Sequence, residues 1–211
     1  MSLGRRRTFV GVDRLPLVGG SLCLDLANTT GARDTVEPRE RLARYDDLLL
    51  WSRRTGIVDA NRAKQLRAAS ARRPGDSLRA LSRVRALREE IHHIFRAIAN
   101  GNDPDATLVG GLGRRWRTAR QQQQLVASDH GRFELRFVVR ADDLDQLQWP
   151  IMESAIDLLT SERLSLVHQC AECDWLFLDD SKNGSRRWCK NTCGNRARAR
   201  AQYARRTNRA E

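Results

Sequence analysis

The most regular hydrophobic pattern in the chain lies between Leu78 and Ala99. There Leu78, Leu81, Val84, Leu87, Ile91, Ile94, Phe95 and Ile98 recur at steps of three and four and predict one long amphipathic helix. Shorter helical patterns precede it. Ser21 stands where it can cap a helix through Leu22, Leu24, Leu26 and Ala27. Asp46 to Arg54 reads as a helix stopped by Gly56, and Asp59 caps another through Ala63, Leu66 and Ala69 that Pro74 and Gly75 end. After the long helix, a further one is expected from Asp105 to Leu112, where Gly110, Gly111 and Gly113 weaken the pattern. The period then changes. From Arg132 to Arg140, Phe133, Leu135 and Phe137 alternate with polar residues, which predicts a strand paired with Arg117 to Ala127 across the turn at Asp129 to Gly131. Pro150 can open a last helix with Ile151, Ala155, Leu158 and Leu159 on one face, before Ser165 to Gln169 turns extended. The pattern is that of a mainly α protein: a multihelical region, residues 1–165, with one small β-hairpin, followed by a short cysteine-bearing unit, residues 166–211.

Length and charge sharpen this division. A chain of 211 residues suits one ordinary domain and a satellite. No segment approaches the roughly 18 apolar residues of a membrane helix, and residues 1–20 lack the apolar run of a signal peptide, so a cytoplasmic location is expected. The net charge of +12 is concentrated at the C-terminus, where residues 181–211 carry ten Lys or Arg against one acid. The preceding 180 residues hold 28 bases and 25 acids, so the signal for a polyanionic partner is local.

Four of the five cysteines fall as Cys170-Ala-Glu-Cys173 and, 15 residues later, Cys189-Lys-Asn-Thr-Cys193. Two close pairs at this separation point to one tetrahedral zinc ion, and four thiolates close its coordination sphere, which makes the metal structural. The gap between Cys189 and Cys193 suits a ligand at the end of a strand and another in the first turn of a helix. The expected order is treble-clef-like: knuckle, then a hairpin from Trp175-Leu176-Phe177-Leu178 back through Arg186-Arg187-Trp188, then a helix from Asn191. Metal binding would drive the folding of so small a unit. A thioredoxin-like reading fails because Cys173 runs into a strand-like aromatic stretch, and a zinc deaminase would need His-X-Glu and a proline before the first cysteine pair. His168 reads as a strand residue and Cys23 as an inert buried thiol.

The C-terminal helix would carry Arg196, Arg198, Arg200, Arg205 and Arg206, with alanines keeping one side narrow enough for the major groove of duplex DNA. Arginine can pair bidentately with guanine and Asn195 with adenine, while Arg186, Arg187 and Lys190 are placed to hold phosphates. Neutralising a zinc with four thiolates needs only about two of these cations, so the excess favours nucleic acid. RNA and a protein partner stay open as alternatives. Trp175 and Trp188 could stack on bases, but beside a metal knuckle they read as its small core.

Cys170-X-X-Cys173-X-Trp175-Leu176-Phe177-Leu178-Asp179, then Arg186-Arg187-Trp188-Cys189, then Cys193-Gly194-Asn195-Arg196, resembles the bacterial CGNR zinc finger. The stretch from Gly19 to Thr29 (GGSLCLDLANT), with the Trp149 to Leu159 segment, resembles the ABATE domain that accompanies this finger. The resemblance implies a mainly helical first domain and the role proposed for that family, a stress-induced transcription regulator. Within the N-terminal motif, Asp25 and Asn28 would share a helix face with Arg33 nearby, as a pocket for a small-molecule effector or as a hydrogen-bonded network that ties down the N-terminus. An enzyme built around these three residues is a third reading, but nucleophile-base signatures and glycine-rich phosphate loops are absent, so no activity is expected. His92 and His93 read as packing or surface residues. A homodimer is compatible with such a regulator, though no heptad seam announces one.

Overall fold

A computed structural model describes residues 11–33, 35–128, 131–138 and 140–207. Seven α-helices run through these residues: α1 (Leu22–Ala27), α2 (Tyr45–Arg54), α3 (Ala60–Arg72), α4 (Pro74–Ala99), α5 (Ala106–Arg120), α6 (Trp149–Leu159) and α7 (Asn191–Thr207). Three antiparallel strand pairs accompany them: β1 (Thr30–Gly31) with β2 (Arg39–Glu40), β3 (Gln123–Ala127) with β4 (Phe133–Phe137), and β5 (Val167–Gln169) with β6 (Leu176–Leu178).

Helix α4 is the axis of the fold, packed by α1, α2, α3, α5 and both strands of the last pair. The predicted stripe holds from Leu81 to Phe95, where Leu81, Val84, Leu87, Ile91, Ile94 and Phe95 are all buried. It fails at Leu78, which is exposed in the second turn of a helix that begins at Pro74. Pro74 does more than end α3: it occupies the first turn of α4, where its missing N–H has no intrahelical partner to lose. Asp59 caps α3 as expected, its carboxylate accepting from the Arg62 N–H. Ser21 precedes α1 but makes no side-chain cap; its hydroxyl lies 2.9 Å from that of Ser154 on α6.

Two expectations are corrected between residues 106 and 140. Helix α5 does not stop at Leu112 but runs through its glycines to Arg120, so Arg117 to Arg120 are helical and cannot pair with β4. Each glycine costs roughly 1 kcal/mol of helix propensity. Tertiary anchors outweigh that: Leu112 and Ala119 are buried, Trp116 donates from Nε1 to Glu153 at 3.0 Å, and Arg115 reaches Glu90 at 3.0 Å. The hairpin is accordingly short, five residues a side, with Leu125 opposite Leu135. Asp129, His130 and Val139 lie outside the described residues.

A third correction concerns the last strand pair. The hairpin brackets the first cysteine pair instead of following it: β5 leads into Cys170, β6 leaves after Trp175, and Arg186 to Trp188 form no strand. Val167, Leu176 and Leu178 are buried in the main helical core, so this hairpin closes the core while presenting its turn to the metal ligands. His168 lies in β5, stacked 6.0 Å from the Phe177 ring.

The N-terminal motif holds this hairpin in place. Asn28, fully buried, donates to the Leu176 carbonyl at 2.8 Å and accepts from the Leu176 N–H at 2.9 Å, acting as one more residue of sheet. The Gly19 carbonyl accepts from Leu178 at 2.9 Å, and the Gly19 N–H donates to Asp25 at 2.8 Å. A Cβ on Gly19 would stand 2.8 Å from the Asp25 nitrogen, so only glycine permits this approach. Behind the seam runs a network of charge. Buried Arg88 makes paired bonds to Glu40 at 2.8 and 2.7 Å and reaches Glu89 at 2.7 Å, and Glu89 in turn accepts from Arg33 at 2.9 Å. Burial pushes the Glu40 carboxyl upward, but the bonds from Arg88 outweigh it and hold that group below its usual range.

Replacing Asn28 by Ala leaves a backbone N–H and a carbonyl unpaired inside the protein, at about 1–3 kcal/mol each. Urea unfolding of the zinc-loaded Asn28→Ala protein is expected to show a loss of about 2–4 kcal/mol; a loss under about 0.5 kcal/mol would remove Asn28 as the clasp. His92 supplies a pH-dependent component. It is fully buried with Nε2 3.3 Å from the Asp174 carbonyl, and burial, then the Arg33 charge, push its pKa down from 6.5 to about 4. The unfolded chain therefore takes up this proton first. The stability it confers is complete above about pH 6.5 and drains away toward pH 4, with about 2 kcal/mol gone by pH 5. Unfolding midpoints measured at pH 7.5 and 5 should differ by less in His92→Gln than in the unsubstituted protein, and equal differences would refute the assignment.

Candidate metal centre and basic helix

The metal ligands come from three local structures. Cys170 directly follows β5, Cys173 closes the knuckle, Cys189 sits in irregular chain, and Cys193 lies in the first turn of α7. Backbone bonds shape the knuckle: the Cys170 N–H donates to the Trp175 carbonyl at 2.8 Å and the Ala171 N–H to that of Arg187 at 3.0 Å. Asp179 organises the loop beyond β6, accepting from the N–H groups of Ser181 at 2.9 Å and Arg186 at 2.7 Å.

The sulfurs fit a tetrahedral ion. Sulfurs about 2.3 Å from a central zinc stand about 3.8 Å apart. The Cys173–Cys189, Cys173–Cys193 and Cys189–Cys193 separations are 3.7, 3.8 and 3.7 Å, and all four sulfurs lie within 4.8 Å of one another. Without a cation such a cluster cannot ionise as a whole: contacts with Cys173 and Cys189 hold the Cys170 thiol down, while its own contact pushes Cys173 up to about 12. The donor set is that of one structural zinc, with no ligand position left for water. Cys23 is remote from it, fully buried, its thiol pushed up to about 11 by desolvation.

Each residue of the Cys193–Arg196 run has a local task. Gly194 gives Trp188 room to lie on the helix start, since a Cβ there would meet the indole ring at 3.3 Å. Asn195 accepts from Arg198 at 2.7 Å, and Arg196 approaches the Cys193 sulfur at 3.3 Å. Leu15, Trp175 and Phe177 complete a small core around the cysteines, with Trp188 packed against it.

The cations predicted to bind nucleic acid divide into two groups. Arg186 lies 4.6 Å over the Phe177 ring and donates to the Trp188 carbonyl at 3.0 Å; Arg196 and Arg200 share Glu172, a residue that spacing alone gave no reason to single out. Arg187, Arg198, Arg205 and Arg206 are exposed and form no ion pair among the described residues, while Lys190 is half-buried, 4.3 Å from the Trp175 ring. Beyond Gly194 nearly all of α7 is exposed around its circumference. The trio of the first region is not gathered into one pocket. Asp25 faces Gly19, its pKa raised to about 6 by burial, and Asn28 faces Leu176. Arg33 instead reaches Glu89 and, through its N–H, the Asp174 carboxylate at 2.9 Å.

A helical domain clasping a four-thiolate finger, with a basic helix leaving it, defines a class of two-part zinc proteins. The chain matches the ABATE family, described as "Putative stress-induced transcription regulator", over residues 20–162, and the CGNR zinc finger over residues 167–206. It belongs to the ABATE family and carries a CGNR finger. No curated protein matches it. Neither family is an enzymatic one, and no helix among the described residues is long and apolar enough to cross a membrane.

Because β5 and β6 belong both to the finger and to the main core, metal loss should be felt throughout. The zinc-loaded protein is expected to contain one zinc per chain and to melt in one calorimetric transition that moves down several degrees on chelation or in Cys189→Ser. A main transition that stays in place while zinc leaves would show that the two regions are uncoupled.

Proposed function

We propose that the protein is a DNA-binding transcription regulator in which zinc fixes the root of α7 and α7 supplies the contacts to the duplex. The observation that carries this reading is the surplus of exposed arginine on a helix that, among the described residues, has no buried position beyond Gly194. The −2 charge of a zinc with four thiolates is answered locally, with Arg196 against the Cys193 sulfur. Arg187, Arg198, Arg205 and Arg206 remain for phosphates or base edges, and the exposed Asn195 lies one turn into the helix, at the position that reaches bases in major-groove readers. The helical region, in this reading, is the sensor that governs the finger, and family membership supports regulation as the task.

Binding to duplex DNA should weaken with salt, with a slope of log K against log salt of roughly −4 to −5 if about five phosphates are neutralised. In Arg205→Ala/Arg206→Ala that slope should shrink in magnitude by about 2. Fluorescence anisotropy with duplex DNA and with RNA of the same sequence decides: binding that ignores salt, or a preference for RNA, would overturn the assignment to DNA.

A further inference from the structure

Where the knuckle meets the β1–β2 segment, the helical region and the finger enclose a cavity of about 490 Å³, a volume in the range of small-molecule sites. Among the described residues its charge is one-sided: six cationic side chains face two carboxylates. Both carboxylates are already engaged, Asp174 by the Arg33 N–H at 2.9 Å and Glu172 by Arg196 and Arg200. That leaves Arg39 and Arg41 from one side and Lys190 from the other with no ion pair among the described residues.

The geometry concentrates this unbalanced charge. The Arg41 guanidinium lies 5.5 Å above the Trp175 ring and the Lys190 ammonium 4.3 Å from it, so one indole draws together a cation from each region. The Arg41 Nε is buried without a hydrogen-bond partner among the described residues. Burial, and next the charge of Arg39, lower the pKa of Arg41 by more than the charges of Asp174 and Glu40 raise it. Gly31 keeps the space open, since a Cβ there would stand 3.3 Å from the Trp175 Nε1 and 3.4 Å from the Arg41 Nη1. A buried donor without an acceptor beside converging like charges is a costly arrangement unless an anion completes it.

We propose that this cavity binds a small organic phosphate, a monoester whose oxyanion is held by Arg39, Arg41 and Lys190 and whose carbon part lies against Leu15, Pro16 and Ala32. Trp175 is nearly fully buried and offers no face for stacking, so recognition is by charge and hydrogen bonding and a nucleobase has no platform. Because the donors come from both regions, occupancy is linked to the placement of Lys190, the residue that immediately precedes α7, and a ligand there is positioned to report to the basic helix. This inference does not rest on the DNA reading, because its test contains no nucleic acid.

The zinc-loaded full chain is titrated with glycerol 3-phosphate by calorimetry, with sodium chloride at matched ionic strength as the reference. Saturable binding at one site per chain is expected, weakened about tenfold or more in Arg41→Ala and in Lys190→Ala and unchanged in Arg62→Ala, whose side chain lies on α3 and does not line the cavity. Should Arg41→Ala fail to fold, Arg39→Gln carries the same expectation, since no described side chain depends on the Arg39 guanidinium. Absence of saturation at millimolar phosphate ester, or equal affinity in the Arg39 and Lys190 variants, would overturn the proposal.

Discussion

Four sulfurs drawn to within 4.8 Å of one another repel as thiolates unless a cation sits among them, and the geometry of the finger follows from that constraint. Two of the sulfurs belong to a knuckle whose flanking strands are also walls of the helical core. The other two lie on either side of the entry to α7. The metal therefore ties together three things: the closure of the core by β5 and β6, the loop that Asp179 organises, and the direction in which α7 departs.

The helical region contributes a rigid mount. Asn28 completes the hydrogen bonding of Leu176, Gly19 adds its carbonyl to Leu178, and the chain of charge from Glu40 through Arg88 and Glu89 to Arg33 ends on Asp174 inside the knuckle. Against that mount, α7 is the one long helix with almost no buried face. A helix buried only at its root, with Arg205 and Arg206 in solvent, is suited to lie on a surface of opposite charge. The seam that holds the finger is also where cations of both regions converge, which places any ligand in that cavity at the junction of the two.

Much of this was legible in the sequence. The cysteine spacing identified the ligand set, the three- and four-residue steps identified α4, and the loss of acids after residue 181 identified the cationic end. The errors have physical causes. Glycine count argued against α5 beyond Leu112, but propensity is worth about 1 kcal/mol a residue and the anchors of Trp116 and Ala119 exceed it. The hairpin was expected after the knuckle because Trp175 to Leu178 is strand-like and the turn-rich Asp179 to Gly184 leads back through Arg186 to Trp188; the true partner, Val167 to Gln169, lies before the first ligand, a pairing that only the core behind it selects.

The sequence by itself determined the elements whose signal is local: ligand spacing, helix period, capping by Asp59 and the charge of the C-terminal segment. Tertiary structure decided what depends on partners distant in sequence. Asp25, Asn28 and Arg33 are neighbours in the chain, yet they face Gly19, Leu176 and Glu89, and only Arg33 lines the cavity. Arg39 and Arg41 had no motif to mark them, and Lys190 was marked only as a phosphate contact of the finger. Their common field arises because folding brings segments about 150 residues apart around one tryptophan, and electrostatic interaction depends on distance in space, which spacing along a chain does not encode.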